Sequence, residues 1–336
     1  MINPNISEEG RQARSEKNDP RIDAVVGFIK NRNWLAEIDD ARFLASGEYN
    51  ENYLISSKNR YFVFRINHGS QLNLNNQIEY EFQVLQSVHE SGVTPKPHYF
   101  SLDAEGLGQG VLLMDYIGGR KFEYARDSDL AARIFARIHQ LPTSGYLITQ
   151  RDPIKDIAHE SAGLLKKYDK HPLRREASIL WRYHEKIFEI ADRNKNIFET
   201  ENLCIVNTEV NSGNFIVRDT DAFLVDWEKA VNSYRYQDLG HFLVPTTTLW
   251  KSDFVFESNQ KREFLKQYLE HFGSAGDLTE LKEKTELLER TILLRALAWC
   301  YMAYFEYTML DRALRDELTL AKIRSYLNEI ERFLQM

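Results

Sequence analysis

Asn207-Thr208-Glu209-Val210-Asn211-Ser212-Gly213-Asn214, followed by Val225-Asp226-Trp227-Glu228, is the stretch on which the reading of this chain turns. Between the two segments lie short apolar runs, Phe215–Val217 and Phe223–Val225, which flank the turn-forming Asp219-Thr220-Asp221. A turn centred near Thr220 lies midway between Asn214 and Asp226, so antiparallel pairing returns these two residues to the same open end of a hairpin. An amide carbonyl and a carboxylate are hard oxygen ligands. They suit Mg²⁺, which takes few protein groups and fills its octahedron with phosphate oxygens and water. Glu209 lies one loop earlier, within reach of a substrate hydroxyl beside that metal.

Upstream, the segment from Arg42 to Asn67 reads as extended: a run around Phe43, a turn at Gly47, then Asn52–Ser56 and Tyr61–Ile66, rich in β-branched and aromatic residues. This predicts an antiparallel meander. Ile78, Phe82, Leu85 and Val88 then recur at helical spacing until Gly92, and Pro95 and Pro97 end the helix. Glu81 falls on the polar side of that helix, and Arg65 late in an extended run. Gly110–Tyr116 is another extended apolar run, after which Gly118-Gly119 loosens the chain at a natural boundary.

Beyond it, Leu130, Ile134, Ala136 and Ile138 predict an amphipathic helix ending at Leu141-Pro142, with more helical pattern over Ser161–Asp192 and again from about Lys261 onward. The organisation expected is therefore a flexible segment over residues 1–20, a sheet-containing lobe over 21–117, and a larger, mainly helical lobe over 118–336. Ile292–Tyr307, the most apolar late stretch, is interrupted by Arg295 and Glu306 and reads as a buried helix rather than a membrane span.

The formal charge of -7 argues against a nucleic-acid partner, because phosphate-backbone binders present a basic surface. Cys204 and Cys300 are far apart and form no C-x-x-C pair, so neither a disulfide framework nor a zinc site is indicated, and a reducing cytoplasm fits best. The polar amino terminus lacks the apolar core of a secretory signal.

The sequence from about Leu44 to Thr248 resembles the aminoglycoside phosphotransferase and choline kinase-like family, a branch of the protein-kinase-like fold. In the kinase catalytic-loop pattern H-R-D-L-x-x-x-N the carboxylate precedes the metal-binding Asn by the spacing that separates Glu209 from Asn214. Asp226 matches the metal-binding Asp of the following strand. Softer matches lie in the same order: Ala136-Arg137-Ile138-His139 before the loop and Tyr236-Gln237-Asp238-Leu239 after it.

The resemblance implies an α+β fold of two lobes, with a small antiparallel sheet in the first and mainly helices in the second. It implies that Gly47-Glu48-Tyr49-Asn50 is the nucleotide loop, with Gly47 and Asn50 at its ends. Arg65 stands where these kinases place the strand Lys or Arg that meets the α- and β-phosphates, with Glu81 as its ion-pair partner and Glu79 as the alternative register. Leu112–Tyr116, including Met114 and Tyr116, resembles the hinge whose main chain bonds adenine. The implied ligands are ATP and Mg²⁺, and the implied acceptor is a hydroxyl of a small molecule.

Two positions depart from the family pattern. Asn207 stands where His is usual, a mild change because Asn also donates and accepts hydrogen bonds. Glu209 stands where Asp is usual; the extra methylene displaces the carboxylate unless the loop adjusts, and a misplacement of about 1 Å can cost on the order of 10²-fold in rate. The sequence thus supports an ATP-dependent phosphotransferase with Glu209 as base. It leaves open an impaired pseudokinase that binds nucleotide, and a helical interaction scaffold.

Overall fold

The computed structural model describes residues 20–47, 49–273, 276–310 and 317–335. The segment expected to be flexible, residues 1–20, lies outside the described residues except for Pro20. The chain divides into two compact units: one holds the chain up to Phe122 together with Ser144–Leu147 and Phe215–Ala230, and the other holds Glu123–Thr143, Ile148–Asn214 and Val231 onward.

The first unit opens with α1 (Pro20–Asn31), whose Pro sits at the start of the helix, where a missing N–H costs nothing. The expected meander follows as β1 (Asp40–Ser46), β2 (Asn50–Ser57) and β3 (Arg60–Asn67), then α2 (Gln77–Val88), β4 (Pro97–Ser101) and β5 (Gly110–Asp115). The strands form one sheet in the order β1-β2-β3-β5-β4. All its pairings are antiparallel. Arg65 is therefore on a central strand rather than at an edge, opposite Asn52 on one side and Leu112 on the other. One face of the sheet packs with α1 into a core of Phe28, Ile29, Tyr53, Ile55, Phe64 and Leu113, edged by Trp34.

β6 (Arg120–Lys121) pairs with β8 (Phe215–Arg218), and β8 with β9 (Asp221–Leu224), although almost a hundred residues separate the first two in sequence. β7 (Cys204–Val206) and β10 (Val231–Ser233) belong to the second unit. Gly119 makes the β6–β8 pairing possible, since a Cβ there would lie 2.4 Å from the carbonyl oxygen of Val217. The hairpin register sets Phe215 opposite Leu224 and Arg218 opposite Asp221, so the turn is centred between Asp219 and Thr220, near Thr220 as expected. Asp219 takes up the reversal with φ +55°, a left-handed conformation that Asp tolerates.

The second unit is mainly helical: α3 (Tyr124–Ile138), α4 (Pro153–Lys166), α5 (Arg174–Arg193), α6 (Tyr236–Leu243), α7 (Pro245–Lys251), α8 (Ser258–Phe272), α9 (Leu278–Met309), α10 (Glu317–Asn328) and α11 (Ile330–Phe333). The helical pattern expected over Ser161–Asp192 is two helices, because Pro172 follows His171 and disfavours helical backbone there. α9 runs through this unit and packs against α4, α5, α6, α7, α8 and α10. Its apolar middle, including Ile292, Leu294, Leu297, Ala298 and Tyr301, is buried. No described helix is long and apolar enough to cross a membrane. Cys204 and Cys300 are buried free thiols.

Candidate active site

In the first unit, Arg65 is the hub. Its Nη1 lies 2.5 Å from Glu81 Oε1 and 3.2 Å from Asp226 Oδ1, while its Nε donates to Asn52 Oδ1 at 3.0 Å. Arg65 and Glu81 are both buried, whereas the Asp226 side chain keeps 30% of its surface exposed. The polar stripe of α2 thus turns toward the sheet at Glu81 rather than toward solvent. Glu79, the other register, instead accepts a hydrogen bond from Asn76 Nδ2.

Burial works against the Arg65 charge, but Glu81, Asp226 and Glu228 outweigh it and hold the guanidinium pKa above its ordinary value. Burial pushes the Glu81 carboxyl up, with Arg65 opposing and Asp226 reinforcing the rise. Glu81 Oε2 finds no partner among the described residues.

Asp226 follows β9 with φ +65°, a left-handed conformation that re-aims its side chain out of the strand's alternation. Two residues on, buried Glu228 accepts from Asn50 Nδ2 at 2.6 Å, and its carbonyl accepts from Gln77 Nε2 at 2.7 Å. Asn67 Nδ2 donates to Asn50 Oδ1 at 2.9 Å and to the Gly69 carbonyl at 2.8 Å. The side chain of Asn50 is therefore spent on fixing the base of the β1–β2 turn.

Gly47 closes that turn by donating its N–H to the Asn50 carbonyl at 2.8 Å. A Cβ at Gly47 would meet no protein atom within 4 Å, so packing gives no reason for glycine there. Glu48 lies outside the described residues.

Met114 is buried in β5, opposite Val63 and Pro97. The N–H groups of Asp115 and Tyr116 are committed to the carbonyls of Lys96 (2.9 Å) and Tyr61 (3.1 Å).

In the second unit, residues 207–214 form a loop held mainly through its backbone. Asp238, wholly buried on α6, accepts from the N–H of Asn207 at 2.8 Å and of Thr208 at 2.9 Å. His139 braces Asp238 Oδ2 from 3.3 Å through Nε2, and its Nδ1 lies 3.1 Å from the Tyr268 hydroxyl. His139 is therefore a structural hydrogen-bonder.

Thr208 has φ +67°, an outlier for a β-branched residue and a strain of roughly 1–3 kcal/mol that its neighbours must hold. Asn207 Oδ1 accepts from the Glu209 N–H at 2.9 Å, and the Glu209 carbonyl accepts from Asn214 Nδ2 at 2.7 Å. That second bond orients the Asn214 amide: with its NH₂ turned to Glu209, its carbonyl oxygen is the end left to serve as a ligand. The Ser212 N–H donates to the Tyr124 hydroxyl at 3.1 Å, and burial pushes the Tyr124 pKa up. A half-exposed carboxylate in Asp226 and an oriented carbonyl in Asn214 are hard donors of the type Mg²⁺ takes.

Sequence reasoning missed Asn67 and Gln77, which carry no pattern signal.

The sequence matches the model of the phosphotransferase enzyme family over residues 40–283. No curated protein sequence matches the chain. Among solved structures, an ethanolamine kinase from Plasmodium vivax is similar with a TM-score of 0.66 at 12% identity, covering 96% of this chain and 94% of that one. A choline kinase from Streptococcus pneumoniae gives 0.61 at 16% identity, covering 92% and 98%. A spectinomycin phosphotransferase in complex with ADP and spectinomycin gives 0.54 at 11% identity, covering 89% and 94%. At such identities the likeness is one of fold, and the fold is protein-kinase-like. Because the family match spans well over half of its length, the chain belongs to the phosphotransferase enzyme family.

Proposed function

We propose that this protein is an ATP-dependent phosphotransferase that moves the γ-phosphate of ATP to a hydroxyl group of a small molecule. The observation that carries this reading is buried Arg65 bonded to both Glu81 and Asp226. A structural ion pair would be complete with Glu81 alone; the partly exposed second carboxylate, Asp226, is what a polyphosphate-bound metal needs beside a fixed cation.

In this reading Arg65, held by Glu81, orients the α- and β-phosphates. The turn closed by Gly47 and Asn50 lies over the phosphates, and the main chain around Met114 and Tyr116 meets the adenine edge through carbonyl groups, the N–H groups of Asp115 and Tyr116 being already bonded to Lys96 and Tyr61. The carbonyl of Asn214 and the carboxylate of Asp226 would hold Mg²⁺, which when bound neutralises charge on the phosphate oxygens. Glu209 takes the proton of the acceptor hydroxyl as that oxygen bonds to the γ-phosphorus. The bond from the γ-phosphorus to the bridging oxygen breaks, and ADP leaves. Catalysis rests on positioning and charge neutralisation more than on covalent chemistry by the protein.

Glu209 itself favours a second reading, a nucleotide-binding pseudokinase, because the resemblance puts Asp at that position. The test is ATP consumption with magnesium across small alcohols and amino alcohols, using wild type, Glu209→Ala, Glu209→Asp and Asp226→Ala. The panel starts from ethanolamine and choline because related folds carry those names, and because a net charge of -7 is compatible with a cationic acceptor. Acceptor-dependent turnover that disappears in both alanine variants supports the kinase. Magnesium-dependent binding without turnover, with activity appearing in Glu209→Asp, supports the pseudokinase; no nucleotide binding sinks both.

A further inference from the structure

The peptide group joining Thr208 to Glu209 is held on both sides. Its N–H donates to Asn207 Oδ1 at 2.9 Å, and its carbonyl accepts from Arg295 Nη2 at 3.1 Å. Arg295 comes from the middle of α9 and is buried. The same Nη2 lies 3.4 Å from His241 Nδ1, and Nη1 lies 4.0 Å from Glu160 Oε2. A buried guanidinium is costly unless bonded, so its placement on one loop carbonyl is a specific commitment.

That carbonyl belongs to the residue with φ +67°. A threonine in this conformation returns to negative φ unless restrained, and doing so rotates the following peptide and carries the Glu209 side chain with it. Asp238 restrains the N–H side of Thr208, at 2.9 Å, and Arg295 restrains the carbonyl side. The approach of the helices sets this geometry: Gly240 lets α6, which carries Asp238, lie directly against α9, since a Cβ there would sit 2.9 Å from the Glu289 nitrogen.

We infer that Arg295 is a positioning residue of the phosphotransfer reaction, locking the strained Thr208–Glu209 peptide so that the Glu209 carboxylate stays where the acceptor proton must be received. This rests on the reading of Glu209 as the base. It accounts for a charge within the apolar stretch of α9 from Thr291 to Phe305, and it ties the base to a residue 86 positions later in the sequence.

The test uses the full chain as Arg295→Met and Arg295→Lys, each with Thr208 or with Thr208→Gly, followed by crystal structure, thermal midpoint and transfer of phosphate from Mg-ATP to the amino alcohol panel. Arg295→Met is expected to lower kcat on the order of 10²-fold with KM for ATP unchanged, since only the base is displaced. Arg295→Lys, which keeps a donor, is expected to retain part of the rate. In the Arg295→Met background Thr208 is expected to relax from positive φ. Thr208→Gly should recover part of the lost thermal midpoint there, because glycine adopts that conformation without strain.

An Arg295→Met structure with Thr208 still at positive φ, or unchanged kcat in an active enzyme, overturns the inference. If wild type transfers phosphate to no acceptor, the functional reading fails, while the structures and melting curves still decide the role of Arg295. Should Arg295→Met not fold, Arg295→Met with Thr208→Gly is measured against Thr208→Gly alone: a lower kcat with KM for ATP unchanged supports the inference, and an equal kcat overturns it.

Discussion

The two candidate halves of the chemistry are built in opposite ways. In the first unit Arg65, Glu81, Asp226 and Asn52 meet through charged and amide side chains, with the cation on a central strand and its main partner on the next helix. In the second, the loop carrying Glu209 is held through its main chain: Asp238 takes two of its N–H groups, Asn207 a third, and Arg295 a carbonyl. A side-chain cluster has a residue-type signature. A backbone-held loop can be stapled by any group that reaches it, from anywhere in the sequence.

The sharpest way to break the first arrangement is Arg65→Met. It leaves buried Glu81 without its counter-charge, and removing one partner of a buried pair costs about 3–5 kcal/mol. Denaturant unfolding should show a loss of this size together with loss of ATP binding; a variant as stable as wild type would mean that Glu81 is not charged or not confined.

For the second arrangement the corresponding change is Asp238→Asn, which replaces a carboxylate accepting two backbone N–H groups by an amide with one acceptor oxygen. Leaving one buried N–H unpaired costs about 1–3 kcal/mol. The account expects kcat to fall while ATP affinity stays unchanged, because the residues proposed to touch the nucleotide belong to the first unit. Weakened ATP binding in this variant would erase the distinction between the halves.

The smallest effect is expected from Asn52→Ala. It removes the acceptor of Arg65 Nε and a long, exposed bond to the Ala45 carbonyl, and should cost roughly 1 kcal/mol with a modest rise in KM for ATP.

The same difference explains what was legible in the sequence. The β-branched and aromatic residues of Asn52–Ser56 and Tyr61–Ile66 set the meander, the Asp219–Asp221 turn set the hairpin, and the periodicity of Ile78, Leu85 and Val88 set α2. Glu81 was assigned to the polar side of α2, but periodicity alone cannot tell a solvent-facing stripe from one that faces a buried arginine. The break between α4 and α5 was overlooked because Pro172 lies inside an otherwise periodic run. Thr208 gave no warning of its positive φ, since that conformation is imposed by Asp238 and Arg295 and not chosen by threonine.

The most direct measurement of the central claim is calorimetric titration of wild type and Asp226→Ala with ATP, each with and without magnesium. The account predicts ATP binding by wild type that is strengthened by magnesium, and loss of that strengthening in Asp226→Ala with the protein still folded. Failure of wild type to bind ATP, or binding that neither magnesium nor Asp226→Ala alters, would contradict it.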